Sequence, residues 1–334
     1  MACDSSTMFD KQVADPNGRV AVHRVSGLAR LQQGLMLGSL ALAAGWSLWA
    51  WSWSRPAALL GMLALLGGYA LVLALEFVVV GVVNRSDPTP RAHAGTLLCA
   101  WWQEVRVAPR VFSWRQPFRW RCLPDEDVIP ASGCTALVFV HGFVCNRGFW
   151  LPWMNELRQR GVPYTSVNLE PVFGSIDTYG PLIDDAVRRA HALTGQPPML
   201  VCHSMGGLAA RAWLDAVPGA DQRVSRIVTI GSPHHGTWLA QFSRVDNGRQ
   251  MRIGGDWLRS LQAREAGTAP NHRYDRFVCW YSNADNIVFP ATTATLPGAD
   301  NRHVPGVSHV AMAFHPQVMR DTLALLPKVQ LAAA

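Results

Sequence analysis

The chain has 334 residues, 49% of them apolar, and a net charge of +7 in which arginine far outnumbers lysine; this is enough for one large domain or two modest ones with a sizeable core. Seven cysteines form no CxxC pair and no Cys/His spacing suited to zinc, which argues against a disulfide framework or a metal site. Free buried thiols facing a reducing compartment are expected, with one bridge among Cys99, Cys122, Cys134 and Cys145 as the alternative.

Residues 1–26 mix Asp, Ser, Asn, Gly and Lys without periodicity and read as a mobile tail. From Leu31 to Ser54 no residue is charged, and from Pro56 to Asn84 the only charge is Glu76. Each run exceeds the ~20 residues needed to cross a hydrocarbon core of ~30 Å, so residues 27–84 predict a transmembrane helical hairpin turning at Trp51–Pro56. Trp46 and Trp49 precede that turn, where their rings would sit at headgroup level. Lys11, Arg19, Arg24 and Arg30 flank the first span and Arg85 and Arg91 the second, against a lone Arg55 in the turn, which puts both flanks in the cytoplasm. A cleaved signal sequence is the rival reading of the first span, disfavoured by its length. Glu76 could mark a function at mid-bilayer or simply pair helices or reach toward the interface.

Residues 85–133 form a basic and aromatic segment expected to lead into the first strands. Arg106, Arg110, Arg115, Arg119 and Arg121 alternate there with Trp101, Trp102, Trp114 and Trp120. Directly after an apolar segment, this suits anionic lipid headgroups; the alternative is half-buried strands of an initial hairpin. No nucleic-acid-binding motif accompanies the charge, and no nucleic-acid partner is expected.

Beyond residue 134, strand-like and helix-like segments alternate. Thr135–Val140, Tyr164–Leu169, Met199–Cys202, Val224–Ile230 and Phe277–Tyr281 have strand character, while Phe149–Arg160, Pro181–Leu193 and Gly206–Ala216 have helical spacing, as does a last helix from Pro316. The alternation predicts a mostly parallel, doubly wound sheet with its site on the loops at the carboxyl ends of the strands.

Two of those loops carry chemistry. After Met199–Cys202 come His203, Ser204, Met205, Gly206 and Gly207, a serine between strand and helix as in a nucleophile elbow, with Cys202 where a glycine is usual. A helix N-cap serine is the plainer alternative. After Val140 come His141, Gly142 and Phe143. Gly142 lets this loop turn toward a substrate and His141 orients it, while the N–H groups of Phe143 and Met205 are candidates to stabilise an oxyanion. The acid and base should follow in the order Ser, Asp, His. Asp285 lies just after Phe277–Tyr281, and His309 just before the last helix. His303 is the main rival base; His203 is expected to point away across the turn, and His191 lies on a helix. Asp275 begins its strand, and Asp300 is too near His309 in sequence.

The set His141-Gly142-Phe143, His203-Ser204-Met205-Gly206-Gly207 and Ile230-Gly231-Ser232-Pro233-His234-His235-Gly236-Thr237 resembles the bacterial triacylglycerol lipases and related esterases, over roughly residues 134–326. Met251–Leu261 is similar to their lid-proximal stretch. The resemblance implies an α/β-hydrolase fold, Ser204 as acyl-enzyme nucleophile with Asp285 and His309 as partners, and Pro233 and His234 as site-shaping residues; with the hairpin, it leads to the expectation of a bacterial inner-membrane protein. Cys202 and the hairpin depart from the family pattern, which bears on fats as substrate more than on the reaction. No carboxylate cluster for a family-type calcium is visible, and no cofactor is expected. Residues 237–273 read as a cap, either a mobile apolar lid or a static insertion, and 327–334 as a tail.

The expectation is a hydrolase of lipid-like or small esters at the membrane surface. Acyl transfer or thioester cleavage by the same residues, and a non-catalytic membrane scaffold, are the alternatives.

Overall fold

A computed structural model of the protein describes residues 26–125, 133–268 and 274–327. The expected N-terminal tail, apart from Ser26, and the C-terminal tail, apart from Pro327, lie outside the described residues.

Ser26 caps α1 (Gly27–Trp51), its hydroxyl accepting from the Ala29 N–H at 3.2 Å. After a short turn, Ser54 caps α2 (Arg55–Gly67) in the same way. α1 and α2 pack as a hairpin, with the Trp46 indole donating to the Ala57 carbonyl at 3.0 Å across the face that Gly61 leaves open. The second apolar run is not one helix as expected. It breaks at Gly67-Gly68 into α2 and α3 (Tyr69–Val83), because paired glycines weaken a helix and the Gly68 backbone closes on the preceding turn, where a Cβ would stand 2.5 Å from the Ala64 carbonyl oxygen. Gly27–Trp51 and Tyr69–Ser86 are each long and apolar enough to cross a membrane by length and composition.

The initial strands expected within 85–133 are absent from its described residues. Ala94–Pro109 forms α4, and Arg110–Arg119 continues it as a π-helical segment. Half-buried or buried Leu97, Ala100, Glu104, Val107 and Val111 recur every three or four residues, a helical rather than a strand period.

The first strand is β1 (Leu137–Val140), followed by α5 (Leu151–Gln159), β2 (Tyr164–Ser166), α6 (Gly180–Thr194), β3 (Met199–His203), α7 (Met205–Ala216) and β4 (Arg226–Ile230). Then come α8 (Asp246–Gln250), α9 (Asp256–Thr268), β5 (Phe277–Tyr281), β6 (Asp300–His303), α10 (His309–Met312) and α11 (Pro316–Leu323). All strand pairings are parallel, in the order β2-β1-β3-β4-β5-β6. The two-residue period divides the sheet between two cores. Leu137, Phe139, Val201, Val228 and Val278 pack with Trp150, Trp153 and α11, while Val138, Val140, Leu200, Cys202 and Ile227 pack with α6 and α7. The chain leaves β1 toward β2 on one side and returns to β3 on the other, so the crevice of a doubly wound sheet opens between the loops after β1 and β3.

Candidate active site

Ser204 follows β3 directly and has φ +54° and ψ −129°, a left-handed backbone that a serine adopts only under constraint. Its N–H donates to the Ile230 carbonyl at 2.9 Å, tying the turn to the end of β4. The turn needs a glycine two residues on, since a Cβ at Gly206 would stand 2.5 Å from the Val140 carbonyl oxygen. Cys202, on the upstream side, is fully buried in the sheet core, and burial pushes its thiol pKa up, so it packs as a small apolar side chain.

The loop after β1 lies against this turn. A Cβ on Gly142 would come within 2.7 Å of Ser204 Cβ, so glycine is what permits the approach. The half-buried Phe143 and then Val144 follow, the latter with φ +53°; Val144 and Ser204 are the non-glycine positive-φ residues among those described, and both fall here. Beneath them His141 is buried, with Nε2 accepting from the Leu169 N–H at 3.0 Å and Nδ1 placed to donate to the Gly142 carbonyl at 3.0 Å. Burial pushes its pKa down to about 4, so the ring is neutral and braces the loop.

Asp285 and His309 meet with His309 Nδ1 and Asp285 Oδ2 2.9 Å apart. Asp285 Oδ1 also accepts from the N–H groups of Ile287 and Val288, each at 2.8 Å, which holds the carboxylate fixed. Gly231 leaves the space for this pair, since a Cβ there would be 3.0 Å from Asp285 Oδ2 and 3.1 Å from His309 Nδ1. Because the Ser204 backbone is bonded to Ile230, the neighbour of Gly231, the serine turn and the Asp285–His309 pair both adjoin the end of β4. Burial of the His309 ring opposes its charged form, but Asp285, then Glu104 and Glu76, outweigh it and raise the pKa above the ordinary imidazole value.

His203 does not point away across the turn. Its ring stacks on Phe149, 4.4 Å between centroids, and its Nε2 lies 3.3 Å from the His309 carbonyl oxygen, where burial and the His309 charge push its pKa well down. The His234 ring is buried, with Nε2 3.0 Å from Thr229 Oγ1, while its carbonyl accepts from Arg211 Nη1 at 2.7 Å. Pro233 is buried at the same turn. His303 stands on the edge strand β6 against Tyr281, away from Asp285, and Asp300 pairs with Arg302.

The expected cap divides in two. α9 is locked to the helix after Ser204 by a buried ion pair, Arg211 Nη2 to Glu265 Oε2 at 2.6 Å and Nε to Oε1 at 3.0 Å. Tyr274 adds a hydrogen bond to the same carboxylate at 2.7 Å. Within the sheet domain, Phe173, Phe242 and Ile253 are the large apolar side chains left exposed among the described residues; Phe173 packs on Phe143, 5.9 Å between centroids.

Two residues escaped the sequence reading: Asn286, next to Asp285, and Glu104, on a helix far earlier in the chain. Glu76 stands out in the sequence as the lone charge of an apolar run, but nothing in its spacing links it to His309.

This six-stranded parallel sheet, with the serine turn after β3, has the α/β-hydrolase fold. The mature lipase BlEst2 of Bacillus licheniformis matches with a TM-score of 0.52 at 19% identity, covering 60% of this chain and 95% of that one. Lipase B of Aspergillus fumigatus matches with a TM-score of 0.50 at 17% identity, covering 60% of this chain and 55% of that one. The family model described as a PGAP1-like alpha/beta domain matches residues 182–265, which include Ser204 but neither Asp285 nor His309. No curated protein matches the chain.

Proposed function

We propose that the protein is a membrane-anchored serine hydrolase that cleaves lipid-like carboxylic esters at the cytoplasmic face of a bacterial inner membrane. The observation that carries this reading is the 2.9 Å Asp285–His309 contact set beside Ser204 in its left-handed turn. In this mechanism His309 takes the proton from Ser204 Oγ as that oxygen attacks the ester carbonyl, while Asp285 holds the ring's tautomer and stabilises the imidazolium. The N–H groups of Phe143 and Met205 receive the oxyanion. Collapse of the tetrahedral intermediate breaks the ester C–O bond, and the leaving alkoxide takes the proton from His309. Water then attacks the acyl-serine with His309 again as base, releasing the acid and restoring Ser204.

The membrane setting rests on α1 and the α2–α3 run, which expose Leu35, Leu42, Leu60, Leu71, Leu75 and Val78 to their surroundings. Glu76 of α3 accepts from Asn286, the neighbour of Asp285, at 2.7 Å. A lipid-facing α3 would therefore bring the reacting groups to within roughly a helix diameter, about 10–12 Å, of the bilayer. The exposed Phe173, Phe242 and Ile253 suit acyl chains as ligands.

The test is fluorophosphonate labelling of the detergent-solubilised protein, wild type against Ser204→Ala and His309→Ala. Labelling of wild type alone is expected, and mass analysis of products with competing alcohols then separates hydrolysis from acyl transfer. A folded wild type that does not label would sink the enzyme reading in favour of a scaffold.

A further inference from the structure

His309 opens α10, a single helical turn too short to hold itself together and with its leading N–H groups unable to bond within the helix. Those donors are satisfied from outside. The His309 N–H donates to Asn286 Oδ1 at 3.2 Å, and Asn286 Nδ2 in turn donates to Glu76 Oε2 at 2.7 Å. The Val310 and Ala311 N–H groups donate to Glu104 Oε1 and Oε2 at 3.2 and 3.4 Å. Glu76 and Glu104 come from α3 and α4, some two hundred residues earlier, and between them they account for the first turn of the helix that bears the base. Glu104 is only 2% exposed. A buried carboxylate is costly unless its oxygens find donors, and an apolar side chain would have served simple packing. Its position is explained by the backbone it holds.

We propose that Glu76 and Glu104 are positioning residues for the catalytic base: by fixing the first turn of α10 they aim His309 between Asp285 and Ser204, so that the helices before the sheet domain complete the active site as well as anchor it. The inference rests on the hydrolase reading above. The carboxyl groups facing His309 are Asp285 on the loop after β5, Glu76 on α3 and Glu104 on α4, each favouring its protonated form when ionised, although burial pushes the Glu104 pKa up; the neutral His203 ring on β3 lies beside it.

The experiment uses the full chain in detergent, a short soluble p-nitrophenyl ester, and active-site titration with the fluorophosphonate to count competent sites. Glu76→Leu leaves Asn286 without its acceptor and is expected to lower kcat per competent site about tenfold or more, as for a base displaced by a fraction of an ångström, with KM within about twofold. Glu76→Gln keeps an acceptor for Asn286 and should restore most of that kcat. Glu104→Gln removes a negative charge near His309 and should move the acidic limb of the kcat/KM profile to lower pH, because the imidazolium loses part of its stabilisation. Variants whose kcat per titrated site and pH profile equal wild type would overturn the proposal, as would Glu76→Gln being no better than Glu76→Leu. Should Glu104→Gln not fold, the two Glu76 variants decide alone. A wild type that neither labels nor turns over ester removes the hydrolase reading and this inference with it; a wild type that does both while the variants match it removes only this inference.

Discussion

The helices before residue 84 and the sheet domain after residue 133 differ in what they expose. In α1–α3 large apolar side chains such as Leu35, Leu48, Leu63 and Leu71 are more than half exposed, whereas the described sheet domain exposes three, Phe173, Phe242 and Ile253. Several polar groups of the helical part and of the segment just after it meet the loop that carries Asp285. Besides the Glu76–Asn286 contact, Asn84 donates to the Asn283 carbonyl at 3.2 Å, Asn283 donates to the Pro90 carbonyl at 2.7 Å, and the Thr292 hydroxyl donates to Asp87 at 2.6 Å. The two regions thus share a hydrogen-bonded seam along the segment carrying Asp285.

The comparison can be broken most sharply at the chemistry. Ser204→Ala is expected to lower ester turnover about 10⁴-fold or more while leaving both regions folded, read by initial rates together with circular dichroism. The wild-type rate itself should fall as pH drops through the pKa of His309, which Asp285, Glu104 and Glu76 hold above the ordinary imidazole value, because the base must be neutral to accept the serine proton. An acidic limb well below that value would mean that another group limits the rate. Next in size is Arg211→Met, which leaves Glu265 buried without its partner. About 3–5 kcal/mol should be lost from the sheet domain, measured by denaturant unfolding in detergent. Gly142→Ala should then cost about 10²-fold in kcat with little loss of stability, since its Cβ would push the loop bearing Phe143 away from Ser204.

Much of the sheet domain was legible because its strands are short apolar runs and its helices are periodic. The register of β3 against β4, His203 opposite Ile230, was not, because both strands are near-continuous apolar runs buried on both faces. The Ser204 turn was legible for a local reason, as small residues must surround it. Asp285 and His309 could be named from chain order, but their contact belongs to the fold. The helical state of Ala94–Arg119 was obscured by tryptophans and arginines that suit a strand edge as well as a helix, and β6 (Asp300–His303) by its lack of apolar residues. The break in the second apolar run was signalled only by adjacent glycines, which many long helices tolerate. Glu76 and Glu104 could not be connected to His309 at all, because their partners are backbone donors on a turn some two hundred residues away. Non-local contacts of that kind leave no periodic trace.

The smallest effect expected lies in the helical hairpin and bears directly on what surrounds it. Leu42, midway along α1, is 60% exposed, whereas Leu208 on α7 is fully buried. Leu208→Ala should cost the sheet domain about 2–5 kcal/mol, the usual loss for emptying a packed site. Leu42→Ala should change its unfolding by less than about 0.5 kcal/mol, because most of the Leu42 side chain is already exposed. Leu42→Arg should likewise leave turnover of a soluble ester in detergent near wild type, yet reduce the fraction of protein retained in the membrane pellet, since a guanidinium at mid-span costs about 2.5–3.5 kcal/mol of insertion. If Leu42→Ala instead destabilises as Leu208→Ala does, α1 is packed against protein, and the two regions share one solvent after all.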